Sequence, residues 1–387
     1  MKRLIFLCLV WLTVLMPGRA QSWFELSDSA RISVLTCSPG KAVWSLYGHT
    51  AIRVKDPLNR CDIVLNYGLF NFDSPHFVWR FCTGQTDYLM GASSLRSFLR
   101  EYREQGRGVT EQVLNLSPAE KGRLWHSLYV NLLPENRTYR YNFFYDNCAT
   151  RPRLKVEECL QDTLLYNVEP WFGTMRDVLA HYNDPASWGW FGISMLLGSP
   201  ADRPASLTDQ MFAPELMMDA LAHASKGGQP LVAETHNLLE CRPAALAGFP
   251  IPSPILVFWI LLAVVLGLSL WNRHRHKADF WLDGVVFGLY GLVGIVLFFL
   301  TFFSAHPATD GNWLLLWLHP LQLVFALCLC FRGFRQGRLH RAYLGLQGLL
   351  TLMAIAGLWL LPQFFHPACL PMLLILLCRC ALGQHRD

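Results

Sequence analysis

Residues 141–153 read YNFFYDNCATRPR. An aromatic, strand-like run leads into Asp146 and Asn147, whose side-chain oxygens are good acceptors for the unpaired amides of a first helical turn. The next residue is Cys148. A thiol attacks as its thiolate, and an unperturbed pKa of about 8.5 leaves little thiolate at neutral pH. A helix N-terminus lowers that value, because free N–H groups and the macrodipole favour negative charge. The stretch therefore reads as a strand, a cap and a helix that begins with a candidate nucleophile. Pro152 sits uneasily in that helix, since its ring opposes the carbonyl of residue 148. The helix either begins late or kinks there.

A thiol nucleophile needs a base, most often histidine. Residues 43–54, VWSLYGHTAIRV, are rich in aromatic and β-branched residues, which favour a strand. The turn signal DPLN follows at 56–59, and DIVLNY at 62–67 reads as the returning strand. His49 lies behind Gly48 on the first strand. Centring the turn on Pro57 and Leu58 places His49 opposite Asn66, at the roughly 5 Å spacing of cross-strand partners. Asn66 is thus a candidate to hold the imidazole tautomer. Asp62 competes with it if the register slips.

Outward from this hairpin, helices are expected over 94–105 and after the capping box Ser117-Pro-Ala-Glu120. Short helices are expected over 156–165 and 175–181, and residues 224–254 read as a connection. The first twenty residues carry Lys2 and Arg3, an apolar run and a small-residue cleavage site, the pattern of a secretory signal or, alternatively, a retained anchor. Residues 21–248 then form an exported domain. Residues 249–387 form a membrane domain of about five helices, over 251–271, 280–304, 312–331, 343–361 and 368–382, about 20 apolar residues sufficing for a span. The last carries Pro371 and Arg379 and also fits an interfacial hairpin. Lys and Arg cluster in 272–277 and 332–341 but are absent from 306–311 and 363–367, which puts the exported domain on the outer side.

The formal charge of +5 lies largely in those cytoplasmic loops and calls for no nucleic-acid partner. No zinc-finger spacing, Walker loop or dinucleotide fingerprint occurs, and no cofactor or metal site is expected. Six exported cysteines, at 37, 61, 82, 148, 159 and 241, could form three bridges. A catalytic Cys148 would have to remain free. The tail adds four polar candidates: His306, Asp310 and Asn312 in an outer loop, and His319 within the third span, where ionisable residues are functional candidates. They are expected to share a lipid-facing cleft with the exported domain. Trp313, Trp317 and Trp359 fit interfacial anchoring.

GHTAIRV, then NYGLFNF, then DNCATR, and the polytopic tail together resemble the Lnb family of membrane-bound bacterial lipoprotein N-acyltransferases. The resemblance implies an α+β exported domain of permuted papain-like (LRAT-like) thiol fold, in which His precedes Cys, followed by an all-α transmembrane helix bundle. It implies Cys148 and His49 as the catalytic pair, and a multi-pass protein of the bacterial inner membrane with its catalytic domain in the periplasm. It further implies a membrane phospholipid as acyl donor and the N-terminal amine of a diacylglyceryl lipoprotein as acceptor. A membrane-tethered cysteine peptidase or amidase acting on cell-wall peptides is the alternative that uses the same pair. A non-enzymatic envelope scaffold with Cys148 in a disulfide is a third.

Overall fold

The computed structural model describes residues 24–70, 73, 75–241, 251–276 and 279–383. The expected signal segment 1–20 and the domain boundary near 248 lie outside the described residues. The N-terminal part is built on strands β1 (Arg31–Cys37), β2 (His49–Asp56), β3 (Cys61–Leu69), β4 (Asp87–Ser94), β5 (Val109–Leu114) and β6 (Thr138–Arg140). Short strands β7 (Leu164–Tyr166), β8 (Ala224–Lys226) and β9 (Gln229–Pro230) form a small separate sheet, and β10 (Val232–Leu239) joins the large one. The large sheet runs β10-β5-β1-β2-β3-β4-β6, each neighbouring pair antiparallel. The expected connection over 224–254 therefore contains an edge strand of this sheet.

Alternation along the strands gives the sheet two buried faces. Ile32, Val34, Ile52, Val54 and Leu65 pack on one side, with Leu124 and Leu128 of one helix and Val156 of another. Leu35, Cys37, Ala51 and Val64 pack on the other, against Phe98 and Tyr102. The helices of this part are α1 (Phe77–Cys82), α2 (Leu95–Glu104), α3 (Pro118–Leu132), α4 (Thr150–Cys159), α5 (Met175–Tyr182), α6 (Trp188–Leu196) and α7 (Pro214–His223). Ser94 caps α2, and Ser117 with Glu120 forms the expected capping box of α3. The helix expected over 156–165 instead ends at Cys159, and the chain continues into β7.

The apolar tail folds into α8 (Pro254–His274), α9 (Phe280–Phe303), α10 (Leu321–Cys328), α11 (Arg338–Leu360) and α12 (Cys369–Gly383). Helices α8, α9 and α11 are long and apolar enough to cross a membrane. The span expected over 312–331 is not one helix. The segment Pro307–Leu316, which ends in the short 3₁₀ stretch Trp313–Leu316, meets α10 at a bend of 42°. Pro320, which has no amide to donate, stands at the N-cap of α10. Gly291 and Gly294 of α9 let this broken segment approach closely: a Cβ on either would collide with the backbone of Leu323 or His319.

Arg379, which made the last segment doubtful as a span, is fully buried and paired. It meets Asp279 at 2.9 Å and Asp283 at 2.7 Å, and donates to Ser269. One cation thus ties α12 to the start of α9 and to α8.

The two parts of the chain meet at two seams. Ser304 Oγ donates to the Cys82 carbonyl at 2.7 Å, and the Ala305 amide donates to Thr83 O at 2.9 Å. At the second seam, Gly198 N donates to Ala308 O, and Asn312 Nδ2 to Met195 O, both at 2.9 Å.

Candidate active site

The β2–β3 hairpin turns at residues 57–60, with Arg60 left-handed at φ 50°, and pairs Ala51 with Asn66. The register differs by two residues from that expected, because the turn is centred one residue later. A two-residue slip leaves every side chain on its original face. His49 therefore still shares a face with Asn66, now along a diagonal, and its Nε2 lies 3.2 Å from Asn66 Oδ1. An amide oxygen only accepts, so Nε2 carries the ring proton and Nδ1 keeps the lone pair. Asp62, the competing partner, is held instead by Arg53 through two bonds of 2.8 Å.

Beyond the Ala51–Asn66 pair the two strands part. Gly68, at φ +86°, turns β3 away, and no residue of β3 pairs with Thr50 or His49. The Cys148 side chain enters this gap from the α4 side, and a Cβ on Gly68 would lie 3.5 Å from Cys148 Cβ. There the backbone amides of Thr50 and of Cys148 itself favour negative charge on the sulfur. The thiol thus feels the amide that immediately follows His49. The His49 ring stacks on Tyr102 at 6.4 Å, and its one hydrogen bond among the described residues is to Asn66, not to Cys148.

Local sequence explains how the cysteine is presented. Asn147 Oδ1 accepts the amides of Ala149 at 2.8 Å and Thr150 at 2.9 Å, while its Nδ2 donates to Phe143 O and Phe212 O. The helix begins at Thr150, so Cys148 precedes it, and Pro152 falls in the first turn, where no intrahelical amide is needed. Asp146 does not cap the helix. It pairs with Arg151, whose NH2 lies 2.7 Å from Oδ2.

Burial dominates the electrostatics. It pushes the Cys148 thiol up to about 11, against the opposing pull of the Thr50 and Cys148 amides and the Arg107 charge. It pushes the His49 imidazole down to about 4; the Asn66 bond opposes this and Arg107 adds to it. Burial thus favours the neutral form of each group, a thiol and an imidazole.

Arg107 had no signature in the sequence. Its guanidinium lies 4.7 Å from the Tyr102 ring, and Nε donates to Ser38 O at 2.7 Å. The residue is 6% exposed, and its NH2 has no hydrogen-bond partner among the described residues. It is a cation held behind His49.

Two family models match the chain: the Lnb N-terminal periplasmic domain over residues 21–180, and the Lnb transmembrane domain over residues 247–385. The chain belongs to the Lnb family. No curated protein and no solved structure matches it. This Lnb chain is accordingly a lipoprotein N-acyltransferase-type membrane protein with a periplasmic domain and apolar helices.

The four polar candidates of the Lnb tail are not gathered around the thiol. His306 Nε2 bonds to Phe81 O at 2.8 Å, and Asp310 is exposed with its carbonyl packed on Gly198. Asn312 spends its amide on Met195 O, Leu314 N and Gln363 Nε2. His319 bonds to Gln347 Oε1 at 2.8 Å inside the helical part. Among the described residues, none of the four hydrogen bonds to Cys148, His49 or Asn66. The eleven described cysteines are unpaired, Cys148 included.

Proposed function

We propose that this Lnb protein moves a fatty acyl chain from a membrane phospholipid, through a thioester on Cys148, to the N-terminal amine of a diacylglyceryl-cysteine lipoprotein. What supports the reading is an unpaired Cys148 set beside Gly68, where the β2–β3 ladder ends, with His49 at the start of β2 held by Asn66.

In the first half-reaction the Cys148 sulfur attacks the ester carbonyl, and its proton passes to His49 Nδ1. The C–S bond forms, the ester C–O bond breaks, and His49 returns the proton to the departing lysophospholipid oxygen. In the second, the lipoprotein amine attacks the thioester carbonyl. The C–N bond forms, the C–S bond breaks, and the proton lost by the amine returns to sulfur through His49. The amides of Ala149 and Thr150 are occupied by Asn147, so the oxyanion donors are assigned to Thr50 N–H and Cys148 N–H, which already point at the sulfur.

The test is a vesicle assay with acyl-labelled phospholipid and a synthetic diacylglyceryl-cysteine peptide. The reading expects label in amide linkage on the peptide, absent with Cys148→Ala. Release of free fatty acid at a rate indifferent to the peptide would make the protein a hydrolase and overturn it.

A further inference from the structure

Helix α1 has six residues, FVWRFC, and exposes Val78, Trp79 and Phe81, at 73%, 61% and 49%. So much apolar surface on one short helix marks a contact with something apolar. What it meets follows from its neighbours. The Trp79 ring lies 5.2 Å from Phe299, on the last turns of membrane helix α9, where Phe302 and Phe303 are also exposed. Cys82 and Thr83, at the C-terminal end of α1, are hydrogen bonded to Ser304 and Ala305, where α9 ends. The exposed face of α1 is thus continuous with the apolar surface of a membrane-spanning helix, at the level where that helix ends. The occupant of that face is the bilayer surface.

From α1 an unbroken series of rings leads to the nucleophile. Phe81 stacks on Phe77 at 6.3 Å, Phe77 on Phe70 at 5.8 Å, and Phe70 contacts Tyr88 at 5.1 Å. Tyr88 stacks on Tyr141 at 4.1 Å, and a Cβ on Gly68 would touch both Tyr141 and Cys148. Phe70, Tyr88 and Tyr141 lie on the sheet face from which Cys148 approaches.

We infer that this aromatic series is the binding path of the donor lipid's acyl chain, running from the bilayer surface at α1 to the Cys148 sulfur. This rests on the acyl-transfer reading above and extends it to the residues that receive the chain. The carbonyl must sit at the sulfur, so the hydrocarbon must leave in some direction, and this face offers apolar contact all the way to lipid.

The test uses the full-length Cys148→Ala protein in vesicles of phosphatidylethanolamine whose acyl chain carries a terminal diazirine. Irradiation should place adducts on Phe77, Tyr88 or Tyr141 as well as on the membrane helices. Adducts confined to residues 254–383 overturn the path without touching the chemistry. A second arm compares Phe77→Ser with the native protein. Acylation of Cys148 by long-chain phospholipid should fall at least tenfold, while acylation by water-soluble p-nitrophenyl butyrate should stay within twofold. Equal loss with both donors, or loss with neither, overturns the path. Failure of native protein to be acylated by either donor instead removes the thioester reading.

Discussion

His49 and Asn66 are joined across a diagonal of the β2–β3 ladder, Nε2 to Oδ1 at 3.2 Å, because Asn66 stands opposite Ala51. The bond fixes which nitrogen carries the proton. Asn66→Ala should slow acylation of Cys148 about tenfold, the value of one neutral hydrogen bond of about 1.4 kcal/mol. Asn66→Asp should instead raise the imidazole pKa from about 4, since a carboxylate favours imidazolium, and move the acidic limb of the pH–rate profile upward. Measuring acyl-enzyme formation against pH in both variants checks this. An unchanged profile in Asn66→Asp would count against the bond's role.

Burial sets the pH dependence of the resting thiol. A thiol pushed up to about 11 is almost wholly protonated at pH 7. Alkylation of Cys148 by iodoacetamide should therefore be slow at pH 7 and rise about tenfold per pH unit through pH 8–10. A plateau beginning near pH 7 would mean a preformed ion pair. Cys37 on β1, Tyr139 and Tyr141 also face this sulfur, and each is itself held protonated by burial. Arg107 is the cation whose charge reaches it.

Removing that cation has a defined sign. Arg107→Gln takes away an attraction for thiolate and a repulsion for imidazolium, so both pKa values rise. The alkylation profile should move to higher pH, and Arg107→Lys should move it less. A purely structural arginine would lower the melting temperature and leave the profile in place.

Asn147 closes four hydrogen bonds around the cysteine. Asn147→Ala loses a cap and strands two carbonyl groups, and should cost about 2 kcal/mol or more of stability. Thermal unfolding of the detergent-solubilised protein measures it.

In the helical part, Arg379→Met leaves Asp279 and Asp283 buried beside each other without their cation. Breaking a buried pair in this way costs about 3–5 kcal/mol. The double variant Asp283→Asn with Arg379→Met should recover part of the loss, read as a melting temperature.

The sequence displayed what periodicity and capping control. Ser94 and Ser117 announced α2 and α3, apolar length announced α8, α9 and α11, and the turn at 56–59 announced the hairpin. Non-local relations were not visible. The edge strand β10 is mostly exposed and lacks a clean apolar face, so residues 232–239 read as a linker. The helix α1 is too short for a period. The 42° break at Pro320 was hidden inside a continuous apolar run. At the site, Cys148, His49 and Asn66 could be singled out because each sits in a local pattern. Arg107 could not, since its relation to the thiol exists only once β5 lies beside β1. Asn312 looked like a site residue because polar groups in an apolar tail draw attention; its Nδ2 bond to Met195 O helps to hold the seam between the two parts.

In the proposed reaction one sulfur carries the acyl group. Intact-protein mass spectrometry after incubation with phosphatidylethanolamine vesicles tests it most directly, comparing native protein with Cys148→Ala and His49→Ala. The expected result is a mass increase of one fatty acyl group on the native chain, mapped to Cys148, released by hydroxylamine, slower to form in His49→Ala and absent in Cys148→Ala. An acyl adduct that persists in Cys148→Ala, or a native chain that stays unmodified while phospholipid is consumed, would contradict it.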